Sequence, residues 1–334
     1  MDRREAIKKL LDQSTTIAGS AVVMGCCSCS SSMTFDYWGP KKIQSAASHK
    51  HVHQHTDLGS HFHNKIEKIK SQTIDSIRED HASKHPKLAH KQREEVRQKM
   101  THFDQGHPGD IILDARKIET FHSCYRKLKK LRRYIGYGHF NLVGFDDFIY
   151  YSRTAPRLEA LTKLELKFLE EMFFFPAEKY GFYGDKLQTK ITTKISSKDV
   201  IKIPFSGHYL YRDVSYPIYQ KIKKDVGRSI ILTSGVRGIV KQFDLFFAKT
   251  LRSDYNLSQA SRSLAPPGYS YHSVGDFDVG KKGLGNSNFT NKFSQTDEYK
   301  KLIDLGYIDI RYPDDNLFGV RFEPWHIEGN SRRI

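Results

Sequence analysis

Between residues 118 and 135 apolar side chains recur in steps of three and four. Ile118, Phe121, Tyr125, Leu128 and Ile135 fall on one side of a helical wheel, with Arg132 the exception, and this predicts a helix with one buried face. Gly136 and Gly138 end it. Cys124 lies beside that face and reads as a core thiol rather than a reactive one. A second helix is predicted from Pro156, a favoured first-turn residue. It runs through Leu158, Leu161, Glu165, Phe168, Leu169 and Met172 and stops at Pro176. After Gly181 the period changes. Residues 191–203 alternate loosely and are rich in Thr, Ile and Val, as strands are. Residues 218–226 read as a helix and 229–233 as a short buried strand. Ser234-Gly235-Val236-Arg237 then turns into a helix bearing Gln242, Phe243, Leu245 and Phe246. Helices and strands mix without regular alternation, which points to an α+β fold.

Upstream of Pro108 this patterning is lost. The chain opens with the twin arginine Arg3-Arg4, followed by Ile7, Lys8 and Lys9, then a weakly apolar run from 17 to 25 and Cys26. A charged start, a short apolar middle and small residues before a cut describe a bacterial export signal. The twin arginine resembles a Tat signal, and Val23-Met24-Gly25-Cys26 resembles a lipobox in which Cys26 becomes a lipidated first residue. From 27 to 105 the composition is that of a disordered polar tether. Eleven of the sixteen histidines lie between His49 and His107, with His49, His51, His53 and His55 alternating. Such a tract reads either as a pH-sensitive linker or as a metal-binding segment. The expected organisation is an export signal over 1–26, a His-rich linker over 27–105, a helical segment over 106–180 and a catalytic domain over 181–334.

Composition narrows the function. Hydrophobic residues make up 38% of the 334, enough for a packed core, so the chain as a whole is not disordered. No stretch reaches the roughly 18 to 20 uninterrupted apolar residues of a membrane-spanning helix. Fifty-four Lys and Arg against thirty-eight Asp and Glu leave a formal charge of +16, which favours an anionic partner. Three of the four cysteines crowd at Cys26, Cys27 and Cys29, which is no disulfide framework.

Two clusters carry the chemistry. One is Ser270-Tyr271-His272-Ser273-Val274-Gly275-Asp276-Phe277-Asp278-Val279-Gly280, and the other is Phe322-Glu323-Pro324-Trp325-His326. A catalytic zinc takes three ligands from His, Asp, Glu or Cys and keeps one position open, and His272, Asp278 and His326 supply such a set. Glu323, three residues before a ligand, is placed to act as general base. In an extended segment alternate residues share a face, so spacing alone leaves Asp276 and Asp278 both open as the carboxylate ligand. His208 and His139 have nothing near them in sequence that completes a site.

Ser-x-His-x-x-Gly followed by an Asp, then Glu-x-Trp-His, resembles the signature of VanY-like D-alanyl-D-alanine carboxypeptidases, zinc peptidases that share a fold with the Hedgehog N-terminal domain. Ser234-Gly235-Val236-Arg237 with Gln242 is similar to that family's segment ahead of the metal site. The resemblance spans roughly 180 to 329. It implies a small, mostly antiparallel sheet with flanking helices and one catalytic Zn2+ held by His272, Asp278 and His326. It further implies Glu323 as base, Arg237 as partner of substrate or oxyanion, Ser270 and Gln242 as substrate-binding residues, and Trp325 as a wall of the pocket. The chain departs from the family in having one residue fewer between His272 and the Asp, with Phe277 in place of a small residue. Val279 after Asp278 matches the apolar residue that follows the family's ligand, which favours Asp278 over Asp276.

The expectation is therefore a zinc D,D-carboxypeptidase that trims peptidoglycan stem peptides ending in D-alanine, exported to the periplasm or cell envelope. L,D-carboxypeptidase or endopeptidase action is the close alternative. A non-catalytic lipoprotein that binds zinc or cell wall is the alternative of another class, against which the presence of Glu323 speaks. Nucleic acid is not an expected partner, since neither zinc-finger spacing nor an aromatic RNA-binding motif accompanies the charge.

Overall fold

The structure, a computed structural model, describes residues 88–306 and 310–329. The export signal, Cys26 and the alternating histidines lie outside the described residues. Those described belong to one compact unit. Among them no helix is long and apolar enough to cross a membrane.

The helices are α1 (His90–Thr101), α2 (Ile118–Ile135), α3 (Phe145–Thr154), α4 (Lys163–Phe174), α5 (Ser215–Val226), α6 (Ile239–Arg252), α7 (Leu257–Ser261) and α8 (Asp297–Asp304). Strands β1 (Val200–Lys202) and β2 (Tyr209–Tyr211) form an antiparallel hairpin. Strands β3 (Ile230–Ser234), β4 (Phe277–Lys281) and β5 (His326–Ile327) form a second antiparallel sheet with β4 in the middle. The α+β expectation holds.

Two cores meet along the chain. One is helical and rich in phenylalanine: Phe121 and Leu128 of α2, Phe148 of α3 and Phe168 and Phe173 of α4 pack with Ile239, Phe243 and Phe247 of α6. The other lies between α5 and the three-stranded sheet, where Ile218 and Ile222 meet Leu232, Phe277, Val279, Trp325 and Ile327. Because α6, from beyond residue 180, closes the helical core, the expected boundary at 180 is not a seam. Cys124 is fully buried in the first core. Burial, with the Glu165 charge behind it, pushes its thiol up to about 12, so it is unreactive at neutral pH.

Several expected elements are redrawn. The second helix begins at Lys163, not Pro156, because Thr162 and Glu165 form a reciprocal cap: Thr162 Oγ1 accepts from the Glu165 amide and the Glu165 carboxylate from the Thr162 amide. Helix α3 has no counterpart in the sequence reading. Of the strand expected over 191–203 only Val200–Lys202 forms.

The polar linker expected over 27–105 ends in packed structure. Val96 and Met100 of α1 are buried against Leu317, Arg262 donates to the Gln105 carbonyl at 2.8 Å, and the Phe103 ring faces the Arg321 guanidinium at 4.8 Å. A boundary at 105 cuts through these contacts.

Register between β3 and β4 is regular from Ile230 to Leu232 and shifts at an irregularity before Ser234. Ser234 pairs with Asp278 and Asp278 with His326, so three adjacent strands bring one polar row together. Phe277 and Val279 point into the core from the opposite face of β4. Next along the strand, Gly280 lies flat against the Asn288 side chain, leaving no room for a Cβ. Asn288 itself bonds the amide and carbonyl of Lys281 at 2.8 and 3.1 Å.

Candidate metal centre

Each ligand candidate arrives from a different element. His272 sits in a short 3-10 turn (Tyr271–Ser273) just ahead of β4, Asp278 in the middle of β4 and His326 at the start of β5. One ligating atom from each lies within 4.8 Å of the others, and all three residues are buried. His272 Nε2 stands 3.3 Å from Asp278 Oδ1, and His326 Nδ1 stands 3.6 Å from the same oxygen.

The outward atoms of these groups are all fixed. His272 Nδ1 lies 2.8 Å from the Gly235 carbonyl; a carbonyl only accepts, so Nδ1 carries the proton and Nε2 the lone pair. Gly235 must be glycine here, since a Cβ would run into the Tyr209 carbonyl. His326 Nε2 is 3.0 Å from Asp276 Oδ2, which leaves Nδ1 turned inward. Asp278 Oδ2 accepts from Arg237 at 2.6 Å, and Arg237 Nε donates to Ser234 Oγ at 3.0 Å.

Two inward atoms, His272 Nε2 and Asp278 Oδ1, are buried without any hydrogen-bond partner. Orphaned buried polar atoms are costly, at about 1–3 kcal/mol or more each. Two of them facing one point from an imidazole and a carboxylate are what a zinc or similar ion satisfies. The donor set therefore fits the ion.

Electrostatics agree. Burial, reinforced by the Arg237 charge, lowers the His272 pKa and keeps the imidazole neutral. Burial alone would raise Asp278, but the neighbouring His272 imidazole and the Arg237 guanidinium hold it well below the usual carboxylate range. Burial opposes a proton on His326 too, yet hydrogen bonds to Asp276 and Glu323 raise its pKa to about 9. An ion at Nδ1 has to displace that proton, so metal binding here is proton-coupled.

Asp276 and Asp278 thus part company. Asp276 accepts from Arg311 at 2.8 and 3.2 Å and from the Gly329 amide at 2.9 Å, besides holding His326. It has no oxygen to spare. A carboxylate behind a ligating histidine fixes the ring and raises its basicity. Arg311 has no motif around it and is absent from the sequence reading.

Glu323 Oε2 lies 3.4 Å from His326 Nδ1, beside the candidate ligands. Glu323 and the three candidate ligands line a cavity of about 410 Å3. Ser270 and the buried Trp325 line it as well. Gln242 also borders it, but its amide donates to Gln188 and to the Arg237 carbonyl and accepts from the Gly268 amide. It therefore braces the Arg237 segment instead of facing substrate. Arg237 is engaged with Asp278 rather than standing free for an oxyanion. His208 borders the same cavity from the β1–β2 hairpin. Burial first, then the Arg237 and Lys241 charges, push its pKa down to about 4, leaving it neutral. Only the fold, not the sequence around it, brings it there.

Comparison with known proteins bears on this geometry. Residues 217–328 match the family model for VanY, D-alanyl-D-alanine carboxypeptidase. Over these residues the chain is similar to a VanY-family domain. The match takes in Arg237, His272, Asp276, Asp278, Glu323 and His326, whereas α1 to α4 precede it. No curated protein matches the chain. Among solved structures, VanYB in complex with D-alanine-D-alanine is 21% identical, covering 45% of this chain and 85% of that one, with a TM-score of 0.34. A zinc(II) complex of a VanY D,D-pentapeptidase variant from a VanB-type resistance cassette is 20% identical over 45% and 88%, with a TM-score of 0.34. The D,D-dipeptidase VanXYg bound to a phosphinate analogue of D-Ala-D-Ala is 20% identical over 46% and 63%, with a TM-score of 0.36.

Proposed function

We propose that this protein is a zinc-dependent D-alanyl-D-alanine carboxypeptidase that removes the terminal D-alanine from peptidoglycan stem peptides. The observation that carries the reading is the pair of orphaned buried atoms, His272 Nε2 and Asp278 Oδ1, converging beside Glu323 in the lining of a cavity. The VanY-family match supports the bond class.

His272, Asp278 and His326 would hold the ion, which supplies Lewis-acid polarisation of the scissile carbonyl and lowers the pKa of water. The remaining work falls to the chain. Glu323 accepts a proton from the attacking water and returns it to the departing amine. Asp276, clamped by Arg311 and the Gly329 amide, keeps the His326 ring turned. Arg237 fixes the second oxygen of Asp278 and, from the cavity wall, adds positive charge to the field in which the oxyanion develops. Ser270 and Trp325 shape the place of the terminal residue. In the same reading residues 1–26 export the chain, and lipidation of Cys26 would anchor it at the envelope.

The test is to incubate the zinc-loaded protein with pentapeptide and tetrapeptide muropeptides and to weigh the products by mass spectrometry. Loss of one D-alanine from the pentapeptide alone is expected. Release of any other fragment, or none, overturns the assignment.

A further inference from the structure

The cavity lined by the candidate ligands has a second wall made of cations. Lys241, Leu245, Lys249 and Arg252 recur at helical spacing on α6 and all line it, as does Arg321. Lys241 has Asp244 at 3.9 Å, but that carboxylate is already held by Arg132 at 2.6 Å. Arg321 lies between the rings of Phe103 and Trp325, each at 4.8 Å, and reaches Glu323 only at 3.9 Å. Among the described residues Lys249 and Arg252 have no carboxylate within ion-pair distance. These like charges act on one another. Burial, then Arg321 and Arg252, hold the Lys249 pKa below its ordinary range, and Asp104 opposes them more weakly. Partly buried Lys249 and exposed Arg252 thus add two uncompensated charges beside the weakly paired Lys241 and Arg321, an arrangement unfavourable by itself that a bound anion relieves.

A carboxypeptidase has one residue beyond the bond it cleaves, so lining away from the candidate ligands is available to the chain before that bond. From Lys241 to Arg252 the helix advances roughly 16 Å at about 1.5 Å per residue. That is the reach of about five extended peptide residues.

We infer that the Lys241, Lys249 and Arg252 face of α6, together with Arg321, is a subsite for free carboxylates on the residues preceding the cleaved bond, so that the preferred substrate is an acidic peptide. This rests on the peptidase reading above.

The experiment uses two synthetic peptides ending in D-Ala-D-Ala, identical except that the residue before the pair carries a side-chain carboxylate in one and its amide in the other. The full-length zinc-loaded protein should show a kcat/KM about tenfold higher on the acid form, mostly through KM, and 0.5 M salt should shrink that preference. Lys249→Glu with Arg252→Glu should invert it. Lys249→Met alone should lower it partway, which guards against misfolding of the double variant. Affinities are read in parallel on the Glu323→Gln variant by fluorescence anisotropy. Equal affinity for the two forms, or no binding of the acid form, overturns the subsite. Preferential binding of the acid form with no hydrolysis of either overturns the peptidase reading and leaves the subsite standing.

Discussion

Two buried carboxylates, one in each half of the molecule, are held in opposite ways. Glu165, in the helical half, accepts from Ser123 Oγ, Lys127 Nζ and the Thr162 amide, each at 2.7 Å. Lys127 in turn donates to the Ala160 carbonyl at 2.7 Å. Every atom of that node is accounted for. Asp278, in the sheet half, has one oxygen fixed by Arg237 and the other buried without a partner. A buried charge whose bonds close is architecture. One left open toward a second orphaned atom is a site.

The comparison breaks most sharply at Asp278 itself. Asp278→Ala should abolish stoichiometric zinc and turnover together, as metal analysis after dialysis would show; a variant that keeps one zinc removes this residue from the ligand set. Next comes Glu323→Gln, expected to retain the metal while slowing hydrolysis by about 10²–10⁴-fold. A wild-type rate would strip Glu323 of its role.

On the architectural side, Lys127→Met strands Glu165 and should cost about 3–5 kcal/mol in denaturant unfolding, with zinc stoichiometry unchanged. The pH profile sharpens this. Burial pushes Glu165 up, but its bonds to Lys127, Ser123 and Thr162 bring its pKa below the ordinary value. The stabilisation is therefore present at neutral pH, above the ordinary glutamate value, and is lost as pH falls through the lowered folded-state pKa. If wild type and Lys127→Met differ as much at pH 3 as at pH 7, the pair is not the cause. The smallest effect is expected at Asp276→Asn, which should leave the ligands in place and weaken zinc by about 10- to 100-fold, as chelator competition would measure. Complete loss would make Asp276 a ligand and erase the distinction between the two aspartates.

The candidate cluster of His272, Asp278 and His326 was legible in the sequence because its spacing is local. His272 with Asp278, and Glu323 with His326, each fall within seven residues. What joins the two pairs is not local. The separate duties of Asp276 and Asp278 follow from cross-strand register, and Arg311 and Gly329 reach Asp276 from distant segments. His208 is a lone histidine until the hairpin turns it toward the cavity. In the helical half, Pro156 was read as the start signal, whereas the helix starts after the Thr162–Glu165 cap. The cap prevails because it satisfies amides that a proline merely lacks. The strand expected over 191–203 had β propensity but, beyond three residues, no partner strand to pair with.

The close seating of Gly280 on Asn288 has a consequence for how the site is made. Asp276 and Asp278 are two residues apart, so a β4 displaced by two positions would keep its apolar face inward and still present an aspartate opposite His326. Hydrophobic pattern alone cannot reject that mistake. The displaced strand, however, would push a carboxylate into the space where only a hydrogen atom fits beside Asn288. One glycine some distance from the candidate metal centre thus acts as the alignment pin that decides which aspartate faces His272 and His326.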